Sequence, residues 1–87
     1  MIVEYSSRFK RAYRKPAPAD RDRINGAIER MVTGLSHPSL RVRRMQGTAE
    51  LWEARASAAL RITFVRIAGG ISLSNVGAHD PTLKRRP

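Results

Sequence analysis

Two side chains in this 87-residue sequence can exchange a proton near neutrality, His37 and His79, because imidazole has an unperturbed pKa of about 6.5. His37 precedes Pro38 and reads as a turn residue. His79 adjoins Asp80 and is the better general acid or base; its plainer reading is a surface histidine at a strand end. The rest of the chemistry is cationic. Lys and Arg number 17 against 7 Asp and Glu, a formal net charge of +10. Fourteen of these cations are arginine and three, Lys10, Lys15 and Lys84, are lysine. A guanidinium grips a phosphate through two parallel hydrogen bonds, which an ammonium cannot do. So large a positive excess repels itself unless it meets a polyanion or an acidic partner. Imidazole and guanidinium together are what phosphodiester cleavage requires: a proton acceptor, a proton donor and positive charge for the pentavalent phosphate. This scheme needs no metal and no other cofactor. The absence of cysteine excludes a disulfide scaffold, thiolate catalysis and Cys-based metal sites.

Several elements must position these groups. Hydrophobic residues make up 41% of the chain, enough for one compact core and too many for wholesale disorder. Ile2-Val3-Glu4-Tyr5 reads as a first strand. Ser6 or Ser7 can cap a helix in which Phe9, Ala12 and Tyr13 share a face, ended by Pro16 and Pro18. A second helix is expected from about Ala19 to Leu35, with Ile24, Ala27, Ile28, Met31, Val32 and Leu35 in one apolar stripe and Gly34 and Pro38 at its exit. Residues 36–50 read as a connection, partly extended and anchored by Leu40, Val42 and Met45. Strands follow over about 50–56, 60–67 and 71–77, the last two joined at Gly69-Gly70. The expected class is α+β: a strand, two helices and a three-stranded antiparallel meander, with both helices on one face of the sheet. The domain is expected to span 1–80, leaving 81–87 as a basic tail.

Gly47, Leu51-Trp52-Glu53-Ala54-Arg55, Arg61-Ile62-Thr63-Phe64 and Val76-Gly77-Ala78-His79 carry a resemblance to the RelE/ParE superfamily, the toxins of bacterial type II toxin–antitoxin modules. The upstream element order agrees, so the resemblance covers nearly the whole chain. It implies a RelE-like fold and, in the RelE/YoeB-like branch, a ribosome-dependent endoribonuclease. Such mRNA interferases cut by attack of the ribose 2′-hydroxyl on the adjacent phosphate and so inhibit translation. By motif position Arg55 and Arg61 match that branch's strand arginines, and His79 matches its late basic or histidine position. Two positions depart from the pattern. Arg41, Arg43 and Arg44 stand where that branch carries a glutamate ahead of the Gly47 region, and Asp80 follows His79 where several members carry a C-terminal tyrosine. The resemblance implies a cognate antitoxin offering an acidic or amphipathic segment, a hetero-oligomer with it, and the ribosome and mRNA as further partners. Two other outcomes belong to the same resemblance: a ParE-type inhibitor of DNA gyrase, and a RelE-fold binding module with weak or no catalysis.

Register tests whether the site can assemble. A three-residue Ala68-Gly69-Gly70 loop pairs Arg61 with Gly77, which sets Arg61 and His79 diagonally on one face with backbones roughly 7–8 Å apart. A two-residue Gly69-Gly70 loop sends His79 to the other face. The three-residue loop, or an equivalent bulge near Gly77, is therefore the expectation. Arg41, Arg43, Arg44 and Lys84 are candidate RNA contacts, with a solvated loop as the alternative for the three arginines. Glu50 and Glu53 are the acids near the site and minor candidates for a base. Arg66, at the opposite parity from Arg61, reads as structural, and Trp52 as core or sheet packing. Met1-Ile2-Val3-Glu4-Tyr5 lacks the features of a signal peptide, and no apolar run approaches the roughly 18–20 residues of a membrane span. The expectation is a cytoplasmic protein with no membrane partner.

Overall fold

The computed structural model describes residues 1–47 and 50–78. Strand β1 (Ile2–Tyr5) leads into helix α1 (Ser7–Tyr13) and helix α2 (Pro18–Thr33). A 3-10 turn (Pro38–Leu40) and a two-residue strand β2 (Arg43–Arg44) follow, then β3 (Leu51–Arg55), β4 (Leu60–Ile67) and β5 (Gly70–Ala78). The strands form one sheet in the order β1-β5-β4-β3-β2. β1 lies parallel to β5, and every other pairing is antiparallel. The architecture is the expected α+β one, with β2 added to the edge where the sequence suggests only a partly extended connection.

Each helix starts where local chemistry allows it. The Ser6 hydroxyl accepts from the Phe9 N–H at 3.0 Å, capping α1, and so satisfies one of the free donors at a helix start. Pro18 opens α2, where a missing N–H costs nothing. α2 ends two residues short of the expected Leu35: Gly34 leaves the helix in an extended conformation, and its N–H closes the last turn on the Arg30 carbonyl at 2.9 Å.

The helices cover one face of the sheet. Phe9, Ile24, Ala27 and Met31 are buried against Ala54, Leu60, Ile62, Phe64, Ile71, Leu73 and Val76, with Leu40 from the 3-10 turn sealing the same core. Each large apolar side chain buried there contributes about 1.5–3 kcal/mol of transfer free energy. Alternation along the strands sends their other residues to the opposite face. Paired rows on that face are Arg43, Glu53, Thr63 and Asn75, and beside them Arg55, Arg61 and Gly77.

The β4–β5 hairpin differs from expectation in its loop and agrees in its register. Gly70 pairs with Ile67, so the connection is the two residues Ala68-Gly69, with Gly69 at φ +77°. Gly70 is held in the strand because β1 lies against it: Ile2 pairs with Gly70, and a Cβ there would collide with the Ile2 backbone. Between Thr63 and Phe64 the register then shifts by one, leaving Ser74 as an extra residue in β5. Beyond this bulge Arg61 pairs with Gly77, as the expected loop also requires. The bulge is held from the other side of the chain. Ser6, already capping α1, donates its hydroxyl proton to the Ser74 carbonyl at 2.9 Å, and its N–H reaches the Leu73 carbonyl at 3.0 Å.

Candidate functional site

The register places Arg55 directly opposite Arg61 across β3 and β4. Like charges in that relationship oppose folding, since opposed side chains leave the backbone only about 5 Å apart. The two arginines are held differently. Arg61 is 6% exposed, and its Nη1 donates to the carbonyls of Ser57, Ala58 and Leu60 at 2.9, 3.2 and 3.1 Å. The turn between β3 and β4 thus fixes the guanidinium. Arg55 is half-buried, and its Nε, like that of Arg30, is shielded from solvent with no hydrogen-bond acceptor among the described residues. A buried N–H left in that condition costs roughly 1–3 kcal/mol.

Among the described residues, carboxylates do not resolve this excess of charge. Glu53, in the next row, is 4% exposed and accepts from Arg43 Nε at 2.8 Å. Its interaction with Arg61 is favourable, yet the Arg61 pKa lies below the ordinary arginine value. Burial is the main cause, followed by repulsion from Arg55; Glu53 opposes the shift, and Arg43 and Arg41 add to it. Glu53 is therefore committed to Arg43 as an ion-pair partner rather than presented as a free base. On the other side of Arg61, Gly77 leaves open space: a Cβ there would meet no atom within 4 Å. Two guanidiniums beside open space offer hydrogen-bond donors suited to an oxyanion, and phosphate is the anion whose geometry arginine matches best.

The remaining candidates divide. Arg41, Arg43 and Arg44 do not form one patch. Arg41 is exposed in a left-handed conformation (φ 45°) at the end of the 3-10 turn. Arg43 faces the Arg55–Arg61 side and pairs with Glu53. Arg44 faces the helix-covered side, its guanidinium 5.1 Å from the Trp52 ring centroid. Arg66 also stacks on Trp52, at 4.4 Å, on the face away from Arg61. His37 caps the 3-10 turn, its Nδ1 accepting from the Ser39 N–H at 3.2 Å, in keeping with a turn residue. His79, Asp80 and Lys84, the 81–87 tail and the expected diagonal between His79 and Arg61 lie outside the described residues. Among the described residues no group of three His, Cys, Asp or Glu is placed to hold a metal ion, and no helix is long and apolar enough to cross a membrane. The pairing of Arg61 with Gly77 and a bulge that secures it are expected from the sequence; the bulge's place at Ser74 and the open space at Gly77 are not.

No protein-family model and no curated protein matches the sequence. Solved structures do match the fold. YafQ from E. coli superposes with a TM-score of 0.76 at 12% identity, over 90% of this chain and 92% of its own. The RelB–RelE antitoxin–toxin complex from Methanococcus jannaschii gives 0.75 at 17% identity, over 98% and 100%. The YoeB dimer from Staphylococcus aureus gives 0.74 at 10% identity, over 92% and 98%. The chain has the RelE/YoeB-like toxin fold, complete from β1 to β5.

Proposed function

We propose that this protein is the toxin of a type II toxin–antitoxin module and acts as a metal-independent endoribonuclease on ribosome-bound mRNA. The observation that carries the reading is the Arg55–Arg61 pair, directly opposed and with the buried Arg55 Nε lacking an acceptor among the described residues. A scissile phosphate accepts from both guanidiniums and removes the repulsion between them. In the reaction the 2′-oxygen attacks the adjacent phosphorus and loses its proton to a base. The bond to the 5′-oxygen breaks, and that oxygen takes a proton from an acid. His79 supplies one of these proton transfers, and the arginines stabilise the added negative charge of the transition state. Arg41, Arg43 and Lys84 contribute longer-range attraction for RNA. The RelE-like neighbours solved with antitoxins support a cognate antitoxin, bound in a hetero-oligomer, as the natural partner.

The second reading is a ParE-type gyrase inhibitor on the same fold, and the structure of a YoeB/ParE toxin from Agrobacterium tumefaciens, matched at a TM-score of 0.74 and 14% identity, keeps it in view. The paired arginines favour the ribonuclease. Mapping mRNA 5′ ends after a pulse of expression separates the two. New ends within translated regions are expected from wild type and not from His79→Ala. Arrested growth with intact mRNA and a DNA-damage response would move the assignment to gyrase.

A further inference from the structure

Trp52, the sole tryptophan of the chain, sits with two arginines against its ring on the side of the sheet opposite the Arg55–Arg61 pair. Arg44 lies across from it on β2, and Arg66 reaches it diagonally from β4, past its partner Phe64. Both guanidinium carbons stand within stacking range, at 5.1 and 4.4 Å from the ring centroid. The indole is half-buried and packs its inner side on the core, whereas both arginines are exposed. Among the described residues neither arginine has a carboxylate partner.

One cation over an indole is a common packing device. A second guanidinium at the same ring adds repulsion between like charges, and packing the core does not require it. Planar guanidiniums around an aromatic ring, exposed beside a sheet edge, have the composition of a single-strand nucleic-acid platform. Bases stack on the ring and on arginine planes, and phosphates take the remaining guanidinium donors. An acidic peptide would use the charges but has no need of the indole between them. The edge strand adds continuity, because adjacent residues of β2 point to opposite sides: Arg44 toward Trp52, and Arg43 toward the Arg55–Arg61 face.

We propose that Arg44, Trp52 and Arg66 form a second binding surface for single-stranded RNA, separate from the Arg55–Arg61 site and joined to it around the β2 edge. The choice of RNA over DNA rests on the function proposed above; the surface itself does not depend on cleavage. Trp52 reports on it directly. Titration with an oligouridylate should change its fluorescence, whereas Arg44→Gln/Arg66→Gln should bind fluorescently labelled oligouridylate at least about 10-fold more weakly at low salt. The slope of log affinity against log salt should fall by about 1.4, as for two lost phosphate contacts on a single strand. Thermal melting would establish that the double variant is folded, and Arg44→Lys/Arg66→Lys should recover part of the affinity. Arg55→Gln should leave the Trp52 signal at saturation unchanged even where mRNA cutting is lost, so failure of the cleavage site and failure of this surface are told apart. Saturation with no Trp52 response, or unchanged affinity and slope in the glutamine variant, would overturn the proposal. So would a Trp52 response to a polyglutamate peptide but not to oligouridylate, which indicates an acidic protein partner. Tighter binding of oligothymidylate than of oligouridylate would overturn the choice of RNA.

Discussion

Arg55 and Arg61 face each other across two neighbouring strands with no acidic side chain between them among the described residues. The turn carbonyls of Ser57, Ala58 and Leu60 hold one of them, and the other keeps a buried Nε without an acceptor among the described residues. Arg55 is the cleaner of the two to test, because it has less structure resting on it. Arg55→Gln removes a repulsion and leaves no acceptor stranded among the described residues. Urea unfolding should show stability unchanged or raised by up to about 1 kcal/mol. Cutting of ribosome-bound mRNA should fall by about 100- to 1,000-fold, the scale for losing one preorganised group at a developing charge.

Gly77 should be replaceable for folding but not for function. A Cβ there meets nothing within 4 Å, so Gly77→Val should change stability by no more than about 0.5 kcal/mol, as for an open surface position. Its side chain would occupy the space beside Arg61. Cleavage should fall sharply while melting and the circular dichroism spectrum stay the same.

Ser6 ties the N-terminal helix to the register of the site. It caps α1 and donates to the carbonyl of the bulge residue Ser74. Ser6→Ala loses both bonds and should cost about 1–2 kcal/mol in urea unfolding. Cutting should fall as well, because the bulge sets Gly77 opposite Arg61; Ser7→Ala, which leaves this cap in place, serves as the control.

Gly70 should tolerate no side chain. β1 pairs directly against it, and a Cβ would strike the Ile2 backbone. Gly70→Ala should cost about 2 kcal/mol or more and speed hydrogen exchange selectively at the β1 amides.

The depressed pKa of Arg61 carries a definite sign. The folded state binds this proton less tightly than the unfolded chain, so the cost is fully present below the folded-state pKa and is relieved as pH rises through it toward the ordinary arginine value. That window is strongly alkaline. Between pH 6 and 9 Arg61 should contribute no slope to stability, but phosphate at constant ionic strength should raise the melting temperature of wild type more than that of Arg55→Gln.

Much of this arrangement is legible in the residues. The stripe of Ile24, Ala27 and Met31 marks α2, and the run from Leu60 to Ile67 marks β4 to the residue. The hairpin loop is not legible from its two glycines, because the partner that fixes Gly70 is β1, more than sixty residues earlier. A signal for the bulge is present all the same. The core residues of β5 are Ile71, Leu73 and then Val76, and that break in the two-residue period shows an extra residue between the last two. The separation of Arg43 from Arg44 follows from β2 being a strand, which two residues are too few to declare. That the Arg55 Nε finds no acceptor among the described residues is a property of packing and has no sequence signal.

The most direct test of the Arg55–Arg61 assignment is single-turnover cutting of mRNA on programmed ribosomes by wild type, Arg55→Gln and Arg61→Gln, with the chemistry of the new ends determined. Wild type should leave a 2′,3′-cyclic phosphate on one fragment and a 5′-hydroxyl on the other, and each variant should be slower by about 100-fold or more. Cutting at the wild-type rate by both variants, or ends carrying a 5′-phosphate, would contradict the account.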